Sequence, residues 1–354
     1  MAVMNGLLIF FGLGFVIFVH ELGHFVAARL SSVRVDDFSL GFGPSFFSFK
    51  GKMTTFNMRF LPLGGFVKLK GMDEPDELCL DIDAYPNKSF FQKFFILFSG
   101  SIFNYLFAFF TFFLILFFTG TVKISPEIEK IVKGSAAERS FLKVGDRLIS
   151  IDNNEVKRVK NDFIRVVSSG QKSSYQIVVD RHGQLISKNI VPEKNNYGRF
   201  ELGIQLKVEK QTFAFFSSLK QSFVMCWFYI KLVFQSLSML INQEATFKDL
   251  AGPVGIVQMA SFQLNQGLLN FVQFVAIISL SLGTVNLLPI PALDGGHIFI
   301  LVLEKVLRKP FSPMLQQRVT AFFMILLLTL MLFIVFNDIT QWGIRKELFQ
   351  RVFD

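Results

Sequence analysis

Cysteine is nearly absent from this chain. Its 354 residues hold two, Cys79 and Cys226, far apart and outside any C-x-x-C or other ligand spacing. That excludes a disulfide framework and a cysteine zinc site. Charge is missing over whole segments: residues 1–19, Phe94–Val122 and Val319–Phe336 carry none. No basic n-region opens the first apolar run and no small-residue cleavage site precedes its histidines. That run is therefore expected to be retained, not removed as a signal peptide. What is abundant is apolar: 51% of residues are hydrophobic and 47 are phenylalanine, the composition of an integral membrane protein. The net charge of +9 does not by itself point to nucleic acid. In a membrane protein, Lys and Arg mark cytoplasmic loops and lipid headgroup contacts, so the expected surroundings are the lipid bilayer, with no nucleic-acid partner.

The first apolar segment, about Asn5 to Leu30, contains His20-Glu21-Leu22-Gly23-His24 after its charge-free residues 1–19. On a helix, histidines four apart share a face and reach one metal ion. Two neutral imidazoles suit Zn²⁺, and the adjacent carboxylate can take a proton from the attacking water. A chance match is the bland alternative. Against it stands the cost of a membrane-buried Glu21, about 2.5–3.5 kcal/mol on insertion scales. At about 1.5 Å per residue, His20 lies roughly 22 Å along the segment, inside a hydrocarbon core about 30 Å thick.

Between residues 31 and 93, alternating stretches such as Phe46–Phe49 and Thr54–Phe60 are punctuated by glycines, including Gly64-Gly65 before Phe66-Val67-Lys68. The pattern predicts short β-hairpins followed by an exposed acidic stretch, Asp73–Asp83. An ordinary cytoplasmic loop and a sheet edge that pairs with an extended substrate both fit. Segment two, Phe94–Val122, contains Gly100 and Asn104, the small and amide residues of close helix packing. Residues 123–210 are polar, with 17 Lys+Arg against 11 Asp+Glu. Val144–Ile151 gives a turn and strand, Asn161–Ser168 a short helix, and Tyr175–Val179 and Leu185–Val191 flank an Arg181-His182-Gly183 turn. These predict a small α+β domain in which His182 is exposed. Thr212–Asn242 is apolar but broken by Lys220 and Lys231, which predicts an amphipathic helix lying at the interface. A connector, Leu250–Gly255, leads to segment three, about Leu268–Leu288, and Val319–Phe336 forms segment four.

Segment three ends in Asn286-Leu287-Leu288-Pro289-Ile290-Pro291-Ala292-Leu293-Asp294-Gly295-Gly296-His297. The two prolines break the helix and free backbone groups that protein or a cavity must satisfy. Asp294 is the sole acid between Asp249 and Glu304. It would complete a three-ligand zinc site with His20 and His24, leaving the fourth position open. Without the histidines it would be a helix-end carboxylate near the headgroups. For the two ligand sets to meet, segments one and three must run in the same direction, with one crossing between them. Nine Lys+Arg lie between Arg29 and Lys93 and four between Pro289 and Arg318, and none in the N-terminal tail. The positive-inside rule makes those connections cytoplasmic, and residues 123–210 and both termini extracytoplasmic.

Taken together, these residues resemble the site-2 protease family of intramembrane zinc metalloproteases, in particular its bacterial regulator-of-sigma-E-protease branch. The likeness covers nearly the whole chain. It rests on His20-Glu21-x-x-His24, on Asn286, Pro289, Pro291 and Asp294, on Pro62–Lys68, on Gly100 and Asn104, and on the glycine–aspartate turn of Val144–Ile151. Ser101 stands where a proline is often found, and one PDZ domain stands where the best-known members have two. The resemblance implies a polytopic α-helical membrane protein with four transmembrane helices, a membrane-associated β-region and one α+β PDZ domain. Residues 1–122 and 267–354 would form the protease core, 123–210 the PDZ domain, and 211–266 the interfacial helix and connector. It further implies one Zn²⁺, Glu21 as general base, and a β-region, Gly64, Gly65, Phe66, Val67 and Lys68, holding extended substrate with help from Asn286, Pro289 and Pro291. The implied location is a bacterial inner membrane. The implied substrates are single-span membrane proteins, anti-sigma factors or remnant signal peptides, trimmed first by a site-1-type protease. A catalytically silent PDZ scaffold and a metal transporter are the alternatives from other classes; the intact Glu21 opposes the first. The second would need a polar path, and Val319–Phe336 offers only Thr320 and Thr329. His297 is expected to be a structural hydrogen-bonding residue, since a fourth ligand would close the site to water.

Overall fold

A computed structural model describes residues 2–72, 81–156, 159–170, 172–194, 200–244 and 251–340. Cys79 and most of the Asp73–Asp83 stretch lie outside the described residues, as does Leu250. The chain divides into two units, one formed by Met1–Leu116 with Phe215–Asp354 and the other by Phe117–Ala214.

The first unit is built on long apolar helices: α1 (Ala2–Leu30), α2 (Phe90–Phe118), α4 (Phe215–Ile241), α6 (Leu268–Asn286) and α8 (Pro313–Thr340). Each is long and apolar enough to cross a membrane. Contacts between them fix their directions. Phe15 of α1 meets Phe107 of α2 with ring centroids 5.4 Å apart, while His20 meets Asn104 and His24 meets Ile96. Rising numbers on α1 thus match falling numbers on α2, and the two are antiparallel. On α6, Ala276 and Leu280 pack with Ala108 and Phe112, and Thr284 bonds Tyr105, so α6 is antiparallel to α2 as well. Helices α1 and α6 therefore run the same way, as the ligand argument required. A stripe of small and polar residues on α2, Ser99, Gly100, Ser101, Asn104 and Ala108, is buried and permits this close approach.

Helix α4 is a fifth spanning candidate by length and composition, where the sequence predicts an interfacial helix. It lies across α2 and not alongside it. The Phe215 ring meets Phe113, and Tyr229 stacks on Phe112. Those two α4 positions are about 21 Å apart along the helix, yet they meet consecutive α2 residues. Two predicted connections contain helices. The residues after Gly252 form α5 (Pro253–Asn265), with proline in its first turn, where its missing N–H costs nothing. Its free N–H groups at Gly252 and Gly255 donate to the buried Asp338 carboxylate of α8, at 3.2 and 2.8 Å. No local side chain caps α5, which is why sequence inspection misses its start. The segment between segments three and four holds α7 (Asp294–Leu307), too short to register as a span.

Between α1 and α2 the chain forms one β-sheet from β1 (Val35–Lys50) and β2 (Thr55–Leu69), a continuous arrangement in place of separate short hairpins. Both strands bend near glycines with positive φ, Gly41, Gly43 and Gly64. The register then places residues 37–40 between 65–68 on one side and 55–58 on the other. Residues 65–69 form an edge, with no further strand beside them among the described residues.

The second unit contains β3 (Thr121–Ile131), β4 (Arg147–Ile151), β5 (Asn154–Glu155), a π-type turn (Val159–Ile164) running into α3 (Arg165–Ser168), β6 (Tyr175–Arg181), β7 (Gln184–Ile190), β8 (Glu193–Lys194), β9 (Phe200–Glu201) and β10 (Ile204–Gln211). The main sheet has the order β10-β3-β4-β6-β7, with β5 on β4. Phe163 and Val167 close its core over Ile128, Leu148, Ile151, Ile177 and Val179. Asp146, in the predicted glycine–aspartate turn, is buried and bonded by Arg181 Nε and Nη2 at 2.7 and 2.8 Å and by the Lys143 N–H at 2.8 Å. His182 is exposed at the β6–β7 turn.

Candidate metal centre

Two helices and a proline-rich bend bring three ligand-bearing side chains to one point. His20 and His24, one turn apart on α1, present their Nε2 atoms 3.3 Å from each other. Asp294, the first residue of α7, places Oδ2 3.1 Å from His20 Nε2 and 3.3 Å from His24 Nε2. These three form the one such cluster among the described residues. Tetrahedral zinc with bonds of about 2.0–2.1 Å separates its ligand atoms by about 3.3 Å. The triangle of Nε2, Nε2 and Oδ2 has those edges, so the donor set fits zinc in both chemistry and spacing.

Neighbours hold each imidazole. His24 Nδ1–H donates to the Ile96 carbonyl at 2.9 Å, which leaves the Nε2 lone pair facing the triangle. The Asn104 side-chain amide lies 3.2 Å from His20 Nδ1. A metal on Nε2 leaves the proton on Nδ1, which then needs an acceptor. The amide orientation that turns Asn104 Oδ1 toward the ring supplies it, and gives a partner to an oxygen that is otherwise buried without one. Asn104 is fully buried and pinned from α6, where Ser279 Oγ donates to its carbonyl at 3.1 Å. The Asn286 amide nitrogen lies 3.1 Å from His20 Nε2, beside the triangle.

Glycine explains two close approaches. A Cβ on Gly100 would lie 2.3 Å from His24 Nε2 and 2.8 Å from His20 Cε1, so any side chain there would enter the ligand triangle. A Cβ on Gly65 would lie 2.8 Å from Glu21 Cγ and 2.8 Å from the Ser39 carbonyl. The β2 edge therefore rests directly against Glu21, itself only 8% exposed. Phe66, next along that edge, is held under the Arg59 guanidinium, 5.1 Å from its ring centre. The prolines behave as their chemistry requires. Leu288, Ile290 and Leu293 N–H groups find carbonyls at Val285, Leu288 and Ile290, and the Pro291 carbonyl accepts from Thr320 Oγ1 of α8 at 3.2 Å. His297 lies outside the triangle and bonds the Leu293 carbonyl through Nδ1 at 3.0 Å.

Of the residues singled out in the sequence, His20, Glu21, His24, Gly65, Gly100, Asn104, Asn286 and Asp294 converge on this point. Pro289 and Pro291 shape the bend that delivers Asp294, while Gly64, Val67 and Lys68 extend along the β2 edge. Sequence reasoning missed the Ile96 carbonyl and Ser279. A backbone acceptor leaves no residue signature, and one serine in an apolar helix carries little.

Comparison with known proteins bears on what this centre does. The model of Peptidase family M50 matches residues 8–330. A provisionally named zinc metalloprotease of Clostridium acetobutylicum is 31% identical, covering 96% of this chain and 98% of the relative. Provisionally named zinc metalloproteases of Helicobacter pylori and Campylobacter jejuni are 33% and 32% identical, each over 93% of this chain and over 97% and 91% of their own lengths. The matched span contains every ligand candidate and the general-base candidate, and the catalytically silent scaffold falls away with it. The chain belongs to peptidase family M50, the site-2 protease family, and is a membrane metalloprotease with zinc as its cofactor.

Proposed function

We propose that the protein is an intramembrane endopeptidase in which His20, His24 and Asp294 hold the zinc ion and Glu21 is the general base. The observation that carries this reading is the position of Glu21, one residue from His20 and pressed against the β2 edge at Gly65. Bound zinc supplies a Lewis acid that activates water and polarises a carbonyl. Glu21 takes the proton released by the attacking water and passes it to the leaving amide nitrogen. A helical substrate conceals its peptide bonds, so cleavage needs an extended segment. The Gly64–Lys68 edge has no further strand beside it among the described residues and suits strand addition, and Asn286 is placed to bond the substrate backbone beside the triangle.

The same proposal assigns four membrane crossings, with α4 at the interface. Support comes from the shared direction of α1 and α6. A crossing by α4 would reverse α6 unless α5 crossed too, and 13 residues span only about 20 Å of a core about 30 Å thick. The basic connections then face the cytoplasm, and residues 123–210 and the N-terminus face outward, in the inner membrane of a bacterium. The Phe117–Ala214 unit is assigned as a PDZ domain, a reading supported by its small antiparallel sheet, whose core is closed by Phe163 and Val167 of the short helical segment. It would screen or bind the ends of single-span proteins already trimmed by another protease, anti-sigma factors or remnant signal peptides, in regulated intramembrane proteolysis.

The test is cleavage of a single-span substrate with a shortened ectodomain by purified wild type and Glu21→Gln in detergent, with zinc measured in both. Cutting by wild type alone, with about one zinc in each, is the expected result. Equal cutting by the mutant would remove Glu21 from the mechanism.

A further inference from the structure

The face of α1 that carries Glu21 continues toward the N-terminus as Phe10, Gly14, Ile17 and Phe18, at helical spacings of three and four. Opposite it stand Leu40, Met58 and Gly64 of the β-sheet, and a cavity of about 300 Å³ lies between the two walls. Gly64, the residue before the glycine that touches Glu21, is among its lining residues, so the cavity borders the catalytic edge. Its volume is at the small end of ligand sites. A helix about 10 Å across does not fit it, but individual side chains do.

Arg59 is the one charged residue lining it. Its Nε donates to Ser39 Oγ at 3.2 Å and its Nη1 to the Gly43 carbonyl at 2.8 Å, and Nη2 lies 3.6 Å from Asp37 Oδ2. The face of the guanidinium covers Phe66. The guanidinium charge is balanced by Asp37, and every other lining residue is apolar or glycine, which favours an uncharged occupant.

We propose that this cavity is a specificity pocket for one large apolar side chain, aromatic or branched aliphatic, of the extended substrate. The inference rests on the reading above that substrate lies along the Gly64–Lys68 edge. Gly14 is seven residues before Glu21, about 10 Å along the helix. An extended chain covers that distance in about three residues. The selected side chain therefore lies within three positions of the scissile bond. Gly14 keeps the pocket open: a Cβ there meets nothing within 4 Å, so a larger residue fills the cavity without disturbing the fold.

The experiment uses full-length zinc-loaded protein in detergent and single-span substrates carrying Ala, Leu, Phe or Asp at each of three positions on either side of the cut. The enzymes are wild type, Gly14→Leu, Gly14→Ala and, as a control, Gly6→Leu, which also projects into open space outside the cavity. At one position wild type should favour Phe or Leu over Ala by about tenfold or more in kcat/KM, with Asp cut worst. Gly14→Leu should bring that ratio close to one, Gly14→Ala should lower it part way, and Gly6→Leu should keep it. Absence of any selective position, or equal loss on Ala and Phe substrates in Gly14→Leu, overturns the pocket. An unchanged ratio with altered co-purifying lipid assigns the cavity to an acyl chain and also overturns it. If zinc-loaded wild type cuts none of the series, the proteolytic reading itself fails and the pocket with it, a result distinct from cutting without preference.

Discussion

Asp146 and Asp294 are carboxylates withdrawn from water in the two units, and their surroundings differ in kind. Burial alone would raise the Asp146 pKa, but the Arg181 guanidinium and the Lys143 N–H outweigh it and hold this carboxyl below the usual range. The protein supplies that charge with its own permanent cation. Asp294 faces His20 and His24, whose Nδ1 positions are occupied by Asn104 and Ile96. Two imidazoles fixed to present lone pairs compensate no negative charge. A buried carboxylate with a resident arginine is a structural fastening; one facing imidazole lone pairs is half of a site that a metal cation would complete.

The comparison breaks most sharply on the metal side. Glu21→Gln should lower cleavage by about 10²–10⁴-fold while zinc content stays near one per chain, measured by turnover and metal analysis on the same sample. Asp294→Ala should abolish cutting through loss of the metal, so zinc content separates it from Glu21→Gln. Asn104→Ala removes the support of His20, not a ligand. Its expected signature is metal affinity weakened by about 10–100-fold, read by competition with a chelator and partly rescued by added zinc. If Asn104→Ala left affinity unchanged, the amide would be a packing residue only.

The structural carboxylate predicts a pH effect of a definite sign. The folded pKa of Asp146 is depressed, so its contribution to stability is present above the unfolded value of about 4 and fades as pH falls below it. Pulse proteolysis of the full chain should find the Phe117–Ala214 unit losing resistance in that window. Asp146→Asn should lower resistance at pH 7 and flatten the dependence, with zinc content unaffected. The smallest effect concerns α4. Single cysteines replacing Lys220 and Lys231 should both label with an impermeant reagent from outside the cytoplasm; labelling at only one would favour a crossing helix.

Much of the centre was legible in advance because its chemistry is local. Two histidines four apart need only a helix to share a face, and a glutamate inside an apolar run announces its cost. Asp294 was legible by scarcity, as the single acid in a long apolar region that also breaks at two prolines. The helices α5 and α7 were not legible in the same way. One is capped by Asp338 from α8, far away in sequence, and the other is too short for hydropathy to separate from a loop. The bent sheet was visible as alternation and glycine. Its register was not, because residues 37–40 find partners on both sides through bends at Gly41, Gly43 and Gly64.

The sequence by itself determined the membrane character, the candidate ligand types and the direction in which segments one and three must run if those candidates are to meet. Apolar length, donor chemistry and the 3.6-residue period act within a segment and need no partner. Only the tertiary structure decided that the ligand triangle has edges of 3.1–3.3 Å, that Gly65 rests on Glu21, and that a cavity opens along α1 beside it. Those features depend on how closely one segment's backbone approaches another's side chains, a distance that no single segment encodes.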